Sequence, residues 1–263
     1  MTLDVDAYLA RLGYSGPRAP DTATLAGLHA AHLQSVPFEN LDIGRGAPIV
    51  LDLDALYAKL ITRRRGGFCY ELNGMFAELL RALGYTVELL SARVWGRGEF
   101  GPEFDHLALR VTGGALAEPR LADVGFGGSF RSPLRLAPGV EQADVSGRYR
   151  LSVEDAVWRL EALEAGATKW GPSYTFTLRP RQFSDFAEMC VYQQTAPDSH
   201  FRQGPICSRA TPDGRVSLSA GKLTFTTPGG RTELALPDPA AWNAALREHF
   251  GIVLESDPVF SGR

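Results

Sequence analysis

The stretch of sequence that decides the fold of this chain is Arg65-Gly66-Gly67-Phe68-Cys69-Tyr70-Glu71-Leu72-Asn73. It leads into apolar residues at helical i, i+3, i+4 spacing, namely Leu72, Met75, Phe76, Leu79, Leu80 and Leu83. Gly84 then ends the pattern, so Cys69 is predicted in the first turn of a helix, where free N–H groups and the helix dipole lower a cysteine pKa. The two preceding glycines let the backbone turn sharply and let a substrate approach. Position alone leaves a reactive thiol and an inert buried thiol equally open, so the partners of Cys69 must decide.

The histidine best placed to activate that thiol is His106, one of five in the chain. It begins a strand-like run that continues to Val111 with alternating apolar residues, and its imidazole is expected on the face opposite them. A second short run, Arg120–Val124, carries Asp123, and a hairpin through Thr112-Gly113-Gly114 would bring that carboxylate near the imidazole. A cysteine, a histidine and an aspartate from a helix start and two adjacent strands are what nucleophilic acyl transfer needs.

The same residues resemble the arylamine N-acetyltransferase family, whose members carry a Cys-His-Asp triad on a papain-like core. Arg65–Asn73 is similar to the family's nucleophile motif, and His106 and Asp123 fall where the family has the other triad members. Further similar signatures are His29-Ala30-Ala31-His32-Leu33, Val36-Pro37-Phe38-Glu39-Asn40-Leu41 and Phe250-Gly251-Ile252. The resemblance covers nearly the whole chain.

This resemblance implies an α+β fold with a papain-like cysteine core in three parts. Residues 1–88 would form an N-terminal helical bundle carrying the Cys nucleophile, 89–190 a central β-barrel carrying His and Asp, and 191–263 a C-terminal α/β lid. Periodicity independently favours α+β, because helix-like spacing to about residue 88 is followed by short β-rich runs between Gly and Pro turns. A last helix is predicted from Pro239 to Phe250. Near the active-site turn, Glu39 is predicted to form a buried pair with one of Arg63, Arg64 or Arg65.

The resemblance also implies an acetyl-CoA-dependent N-acetyltransferase that acts on an arylamine, an arylhydrazine or a heterocyclic amine through an acetyl-cysteine, in ping-pong order. Cys69 would attack the thioester, His106 would move the proton, and Asp123 would orient the imidazole. The acceptor is expected to contact Phe38, Tyr70, Val94, Phe126 and Phe201. Coenzyme A is expected at Gly125, Gly127, Gly128 and Ser129. The sequence of that loop taken alone favours a tight hairpin, because it lacks the P-loop and dinucleotide-binding spacings.

Composition excludes several classes of function. The chain has 263 residues, 44% hydrophobic and 22% charged, and its 27 Lys and Arg nearly balance 30 acids, so no basic field is expected to attract nucleic acid. Met1–Asp6 is acidic and no uninterrupted apolar run approaches about 20 residues, so no secretion or membrane span is predicted and the cytoplasm is expected. Three cysteines without a paired pattern are typical of reduced thiols. No metal site is expected, because His29 and His32 have no further ligands near them.

Three alternatives stay open from the residues alone. A thiol protease or transglutaminase-like hydrolase would use the same triad. An amide synthase that closes a macrolactam would resemble the same family. A binding protein on an inactive scaffold is the non-enzyme alternative, and the presence of Cys69, His106 and Asp123 together disfavours it.

Overall fold

The helices predicted for the first part of the chain are present in the computed structural model, which describes residues 3–164 and 166–260. Its elements are α1 (Val5–Leu12), α2 (Thr22–Ser35), β1 (Phe38–Glu39), α3 (Leu41–Gly44), α4 (Leu53–Tyr57), the π-helical turn Ala58–Thr62 and α5 (Cys69–Ala82). Asp4, Asp21 and Asp52 cap the starts of α1, α2 and α4, because a short carboxylate accepts a free N–H there. Helix α5 stops where predicted, at Gly84 with a φ of 95°.

The middle of the chain is a nine-stranded antiparallel sheet. Its strands are β2 (Thr86–Gly96), β3 (Glu99–Phe100), β4 (His106–Thr112), β5 (Arg120–Ala122), β6 (Leu134–Arg135), β7 (Glu141–Asp144), β8 (Gly147–Glu154), β9 (Val157–Glu164) and β10 (Gly171–Arg181). They follow the order β6-β5-β4-β2-β10-β9-β8-β7, and β3 pairs with β2. The edge strands β6 and β7 are bridged by Gln142, whose amide accepts from the N–H of Arg135 at 2.7 Å and donates to its carbonyl at 3.0 Å. The sheet therefore curves round into a barrel.

Strand β4 is buried on both faces, which the sequence did not indicate. Leu107, Leu109 and Val111 pack into the helical core around α5, as the alternation predicted. Ala108, on the opposite face, belongs to the separate core inside the barrel. His106 shares that inner face, so its imidazole lies inside the molecule and is only 3% exposed.

The last part of the chain forms a third layer around a five-stranded sheet of order β1-β11-β12-β13-β14. The elements after β10 are the 3₁₀ turn Phe183–Phe186, α6 (Ala187–Thr195), the 3₁₀ turn His200–Arg202, β11 (Cys207–Thr211), β12 (Gly214–Ser219), β13 (Lys222–Thr227), β14 (Gly230–Ala235) and α7 (Pro239–Phe250). Of these, the turn Phe183–Phe186 and α6 pack on the helical core around α5, through Phe186 and Cys190. Helix α7 has the predicted bounds and covers one face of the sheet with Trp242, Leu246 and Phe250. Strand β1 joins this sheet from between α2 and α3, with Phe38 opposite Ser208.

Helices and antiparallel sheets thus occupy separate layers, each with its own hydrophobic core. This arrangement confirms the α+β class. None of the helices within residues 3–164 and 166–260 combines the length and apolar character needed to cross a membrane.

Candidate active site

Cys69 is the first residue of α5, and the turn that precedes it is packed too tightly for side chains. A Cβ on Gly66 would lie 2.0 Å from the carbonyl oxygen of Pro37, and one on Gly67 would lie 2.6 Å from Glu71 Oε2. Neither glycine has a positive φ. The expectation that these glycines allow a substrate to approach stays a prediction. They admit the neighbouring backbone and the Glu71 carboxylate.

Buried ion pairs support this turn from below. Glu71 accepts the N–H of Phe68 at 3.0 Å and pairs with Lys59 at 2.7 Å. Arg65 is the arginine that pairs with Glu39, at 2.7 Å, whereas Arg63 and Arg64 are exposed. These contacts confirm the pair predicted for Glu39. Asp42 joins the two pairs, since its carboxylate oxygens lie 2.8 Å from Lys59 Nζ and 3.0 Å from Arg65 Nη2.

His106 and Asp123 meet because strands β4 and β5 form the predicted hairpin. Leu109 lies opposite Ala122, so Asp123 follows opposite Ala108, on the same inner face as His106. His106 Nε2 is 2.7 Å from Asp123 Oδ2, and both side chains are buried. The hydrogen bond assigns Nε2 to the carboxylate and leaves Nδ1 as the second ring nitrogen. Burial raises the pKa of Asp123, but His106 and the hydrogen bonds from Asn73 and Gly125 outweigh it and lower the pKa.

Two further residues form hydrogen bonds with Asp123, and the sequence analysis predicted neither contact. Asn73 donates to Asp123 Oδ1 at 2.8 Å and to the carbonyl of Leu107 at 2.6 Å, and it accepts the N–H of Val124. Its position one helical turn after Cys69 was the available signal. His29 stacks on the ring of Phe130, and its Nε2 accepts the N–H of Asp123 at 3.1 Å. No local pattern reveals that contact.

The thiol of Cys69 lies near the start of β4, where the backbone N–H of Leu107 acts to lower the pKa of the thiol. The residue is only 3% exposed. Burial raises the pKa of Cys69 well above its ordinary value, and the carboxylates of Asp105 and Asp123 add to this, while the Leu107 N–H opposes it. The predicted lowering by the helix start is therefore wrong for the isolated group, because desolvation outweighs the helix dipole. Only a positive charge next to the sulfur can offset that cost.

The five residues predicted to contact the acceptor do not form one wall. Phe38 and Phe201 are half-buried with ring centroids 6.1 Å apart, and Phe126 packs 5.3 Å from the ring of His106. Val94 is also partly exposed, on β2. Tyr70 has no exposed surface, and its hydroxyl donates to the carbonyl of Phe104 at 2.7 Å. Tyr70 therefore packs behind the start of β4 in this conformation, and its substrate contact stays a prediction.

The loop from Gly125 to Ser129 is not the tight hairpin that the sequence alone favoured. It begins the long connection from β5 to β6. Gly125 presses against the nucleophile, since a Cβ there would lie 2.8 Å from Cys69 Cα, and its N–H already donates to Asp123 Oδ1 at 3.0 Å. The predicted contact of the Gly125 N–H with coenzyme phosphate therefore does not fit this structure. Gly127 has a φ of 84° and faces Phe38, and Gly128 is exposed.

Among the residues that the structure describes, no group of three or more His, Cys, Asp or Glu side chains could hold a metal ion. The site thus consists of a buried thiol, an imidazole paired with a carboxylate, and aromatic rings beside them. A thiol, an imidazole and a carboxylate are the groups that enzymes with a cysteine nucleophile use.

Comparison with known proteins specifies the class further. A family model described as N-acetyltransferase matches residues 21–259. The arylamine N-acetyltransferase of Mycolicibacterium smegmatis is 39% identical over 259 residues, which are 97% of this chain and 94% of the relative. The enzyme of Escherichia coli strain K12 is 36% identical over 257 residues, covering 96% and 90%. The chain belongs to the arylamine N-acetyltransferase family.

Solved structures agree with this membership. The arylamine N-acetyltransferase from Salmonella typhimurium superposes with a TM-score of 0.90 at 35% identity, covering all of this chain and 95% of the other. The Mycobacterium marinum enzyme in complex with CoA gives a TM-score of 0.88 at 35% identity, covering 95% and 93%. The resemblance on which the sequence predictions rested is confirmed.

Proposed function

We propose that this enzyme moves the acetyl group of acetyl-CoA to the nitrogen of an aromatic amine or hydrazine through an acetyl-Cys69 intermediate. One observation carries the proposal. Cys69 begins α5, Asn73 one helical turn later donates to Asp123 at 2.8 Å, and Asp123 is 2.7 Å from His106 Nε2. The relative whose structure contains CoA supports the identity of the donor.

In the first half-reaction, His106 accepts the proton of the Cys69 thiol while sulfur attacks the carbonyl of acetyl-CoA. The bond between that carbonyl and the coenzyme sulfur then breaks, and the coenzyme leaves as a thiol with the proton from His106. A base is required because burial raises the pKa of Cys69. Asp123 holds the imidazole by its Nε2 and stabilises its protonated form.

In the second half-reaction, the amine nitrogen attacks the carbonyl of acetyl-Cys69. His106 takes the amine proton, the carbon–sulfur bond breaks, and the proton returns to the Cys69 sulfur. Negative charge develops on the carbonyl oxygen in both halves, and the Cys69 N–H supplies one donor because the first N–H groups of a helix have no acceptor within it. The first half-reaction exchanges one thioester for another, so its free-energy change is small.

We propose that Phe38, Phe126 and Phe201 line the acceptor site, because all three are partly exposed near the thiol or the imidazole. Gly127, Gly128 and Ser129 are proposed to contact coenzyme A. The three hydrophobic cores support a division into a bundle, a barrel and a lid near residues 1–88, 89–190 and 191–263, around a papain-like centre. A thiol nucleophile works in a reducing compartment, so we propose the cytoplasm.

Intact-protein mass spectrometry after addition of acetyl-CoA without an amine tests the mechanism. We expect one acetyl group per chain, located on Cys69 by peptide mapping and removed when an arylamine is added. Cys190 and Cys207 serve as internal controls, because they are 1% and 0% exposed. Cys190 shares the hydrophobic core of Cys69, and Cys207 lies in the core of the C-terminal sheet. The variant Cys69→Ala should take no acetyl group and lose at least about 10³-fold in turnover.

Absence of acetyl-Cys69 under turnover conditions would contradict the proposal. Release of the acetyl group to water at the same rate with and without amine would instead indicate a thiol hydrolase. Loading by a long acyl thioester but not by acetyl-CoA would indicate an amide synthase.

A further inference from the structure

Arg215 on β12 is a largely buried guanidinium without an acidic partner. Its one side-chain hydrogen bond within the described residues runs from Nη1 to Ser208 Oγ at 3.0 Å, and no carboxylate there is among the groups that shift its pKa. Burial and the charge of Arg131 lower the pKa of Arg215 to about 10, so it is charged at neutral pH. A buried charge with so few partners is unfavourable for folding, which indicates that another group satisfies it.

The surroundings of Arg215 are positive rather than acidic. Arg131 is fixed by the carbonyls of Thr211, Pro212 and Gly214 at the β11–β12 turn and carries the second charge. Asp144 lies beside Arg131, but its carboxylate accepts the backbone N–H groups of Arg131 and Ser132, each at 3.0 Å. Apart from the Nη1 bond to Ser208, the N–H donors of the Arg215 side chain are therefore available to an anion from outside the protein.

The sheet register turns Arg215 towards the active site. Phe38 lies opposite Ser208, and Ser208 lies opposite Ser217, two residues from Arg215 on the same face of β12. The other face carries Val216 and packs on α7. Arg215 thus shares its face with Phe38, whose ring packs on Phe201 beside the nucleophile turn.

The loop of residues 125–129, called the glycine loop below, lies between Cys69 and Arg215. Gly125 touches Cys69, and at Gly128 the position of a Cβ is 3.7 Å from Arg215 Nε. Three residues span at most about 10 Å, so an anion at Arg215 lies within reach of a ligand as long as coenzyme A whose thioester is at Cys69. The hydroxyl of Ser129, the next residue, is buried and has no hydrogen-bond partner in the described part of the chain. A guanidinium, an exposed glycine backbone and an unpaired hydroxyl are together the donor set of a phosphate site.

We propose that Arg215 binds a phosphate group of coenzyme A and, with Gly128 and Ser129, fixes the coenzyme beside the loop of residues 125–129. This inference rests on the proposed acetyl-CoA reaction. A guanidinium matches a phosphate with two parallel hydrogen bonds, which a lysine ammonium does not form. The bound phosphate supplies the negative charge that the apo protein lacks at this point.

Acyl donors that share the thioester but differ in phosphates test the inference. Wild type, Arg215→Met and Arg215→Lys are compared with acetyl-CoA, acetyl-dephospho-CoA and acetyl-pantetheine, which carries no phosphate. We expect Arg215→Met to raise KM for acetyl-CoA roughly 10- to 100-fold and to leave KM for acetyl-pantetheine unchanged. The KM of Arg215→Lys for acetyl-CoA should lie between those of wild type and Arg215→Met. The control Arg231→Met removes an arginine from the exposed strand β14 and should change neither value.

Thermal unfolding separates binding from structure. Arg215→Met should unfold at the same or a higher temperature than wild type, because it removes an unpaired buried charge. Addition of coenzyme A should raise the unfolding temperature of wild type more than that of the variant. The role of Arg215 would be overturned if Arg215→Met had the wild-type KM for acetyl-CoA, or if its KM rose equally for acetyl-CoA and acetyl-pantetheine. Either result would leave the proposed function intact. Failure of all three donors to acetylate wild-type Cys69 would overturn the proposed function together with the role of Arg215.

Discussion

Asn73 Nδ2 lies 2.8 Å from Asp123 Oδ1 and 2.6 Å from the carbonyl oxygen of Leu107, so one amide fixes both the carboxylate of the site and the strand that carries His106. The same side chain accepts the N–H of Val124. The nucleophile helix therefore sets the geometry of its own base. None of the three hydrogen bonds of the Asn73 side chain goes to the sulfur of Cys69 or to the imidazole of His106.

Asn73→Ala should lower kcat about 10- to 100-fold with little change in KM, because the imidazole loses its fixed orientation while the substrate pockets stay intact. The free energy of unfolding should fall by about 1–3 kcal/mol, since buried groups are left unpaired. Steady-state kinetics and urea unfolding measure the two effects. Asn243→Ala, which removes an exposed amide on α7, is the control. An unchanged kcat in Asn73→Ala would show that Asp123 needs no such support.

Gly125→Ala should lower kcat by roughly 100-fold, because a methyl group there overlaps Cys69 Cα and must shift the nucleophile. Acetylation of Cys69 in a single turnover reports this directly. The matched control is Gly171→Ala, where a Cβ meets nothing within 4 Å. If both variants acetylate at the wild-type rate, the packing of the loop against the nucleophile has no consequence for the reaction.

The pH dependence of stability should reveal Asp42. Burial raises its pKa, but Lys59 and Arg65 outweigh this and lower the pKa from 3.8 to about 2. A carboxyl group whose pKa is lowered by folding stabilises the fold at pH values above its ordinary pKa. That contribution is lost as the pH falls from about 4 towards 2. Asp42→Asn should therefore be less stable than wild type at neutral pH, by on the order of 2 kcal/mol, and the difference should vanish near pH 2.

Urea unfolding across this pH range measures the difference. Asp6→Asn is the control, because the Asp6 side chain is 78% exposed. A constant gap between Asp42→Asn and wild type over the whole range would mean that the ion pairs of Asp42 do not stabilise the fold.

The reactivity of Cys69 should depend on His106. Burial raises the pKa of the thiol, so in His106→Asn the rate of alkylation by iodoacetamide should keep rising into the alkaline range. Wild type should react at lower pH, since the imidazole accepts the thiol proton. Intact mass against time at each pH gives the profile, and His249→Asn on α7 should behave like wild type. Coincident profiles for His106→Asn and wild type would remove His106 from the activation of sulfur.

Local sequence patterns predicted a substantial part of this molecule. The α5 helix with its stop at Gly84, the β4–β5 hairpin and α7 were predictable, because periodicity and turn residues are properties of short segments. The Glu39 pair was predictable as a pair, but the choice of Arg65 needed the fold. The burial of Cys69 was not predictable, since it arises from β4 and the glycine loop, which are distant in sequence. Arg215 carried no signal at all, because an unpaired charge is visible only when its neighbours are known.

The two residues of β1 make the third layer inseparable from the helices. Phe38 pairs with Ser208 in the C-terminal sheet and bridges to Gly67 at the nucleophile turn, and Asn40 donates to the carbonyls of Phe201 and Gly204. A fragment truncated after residue 190 would leave this short strand without its neighbour and Asn40 without acceptors. The three layers are accordingly not exchangeable modules. Chimaeras between relatives should keep activity only when residues 36–41 and 200–210 come from the same parent.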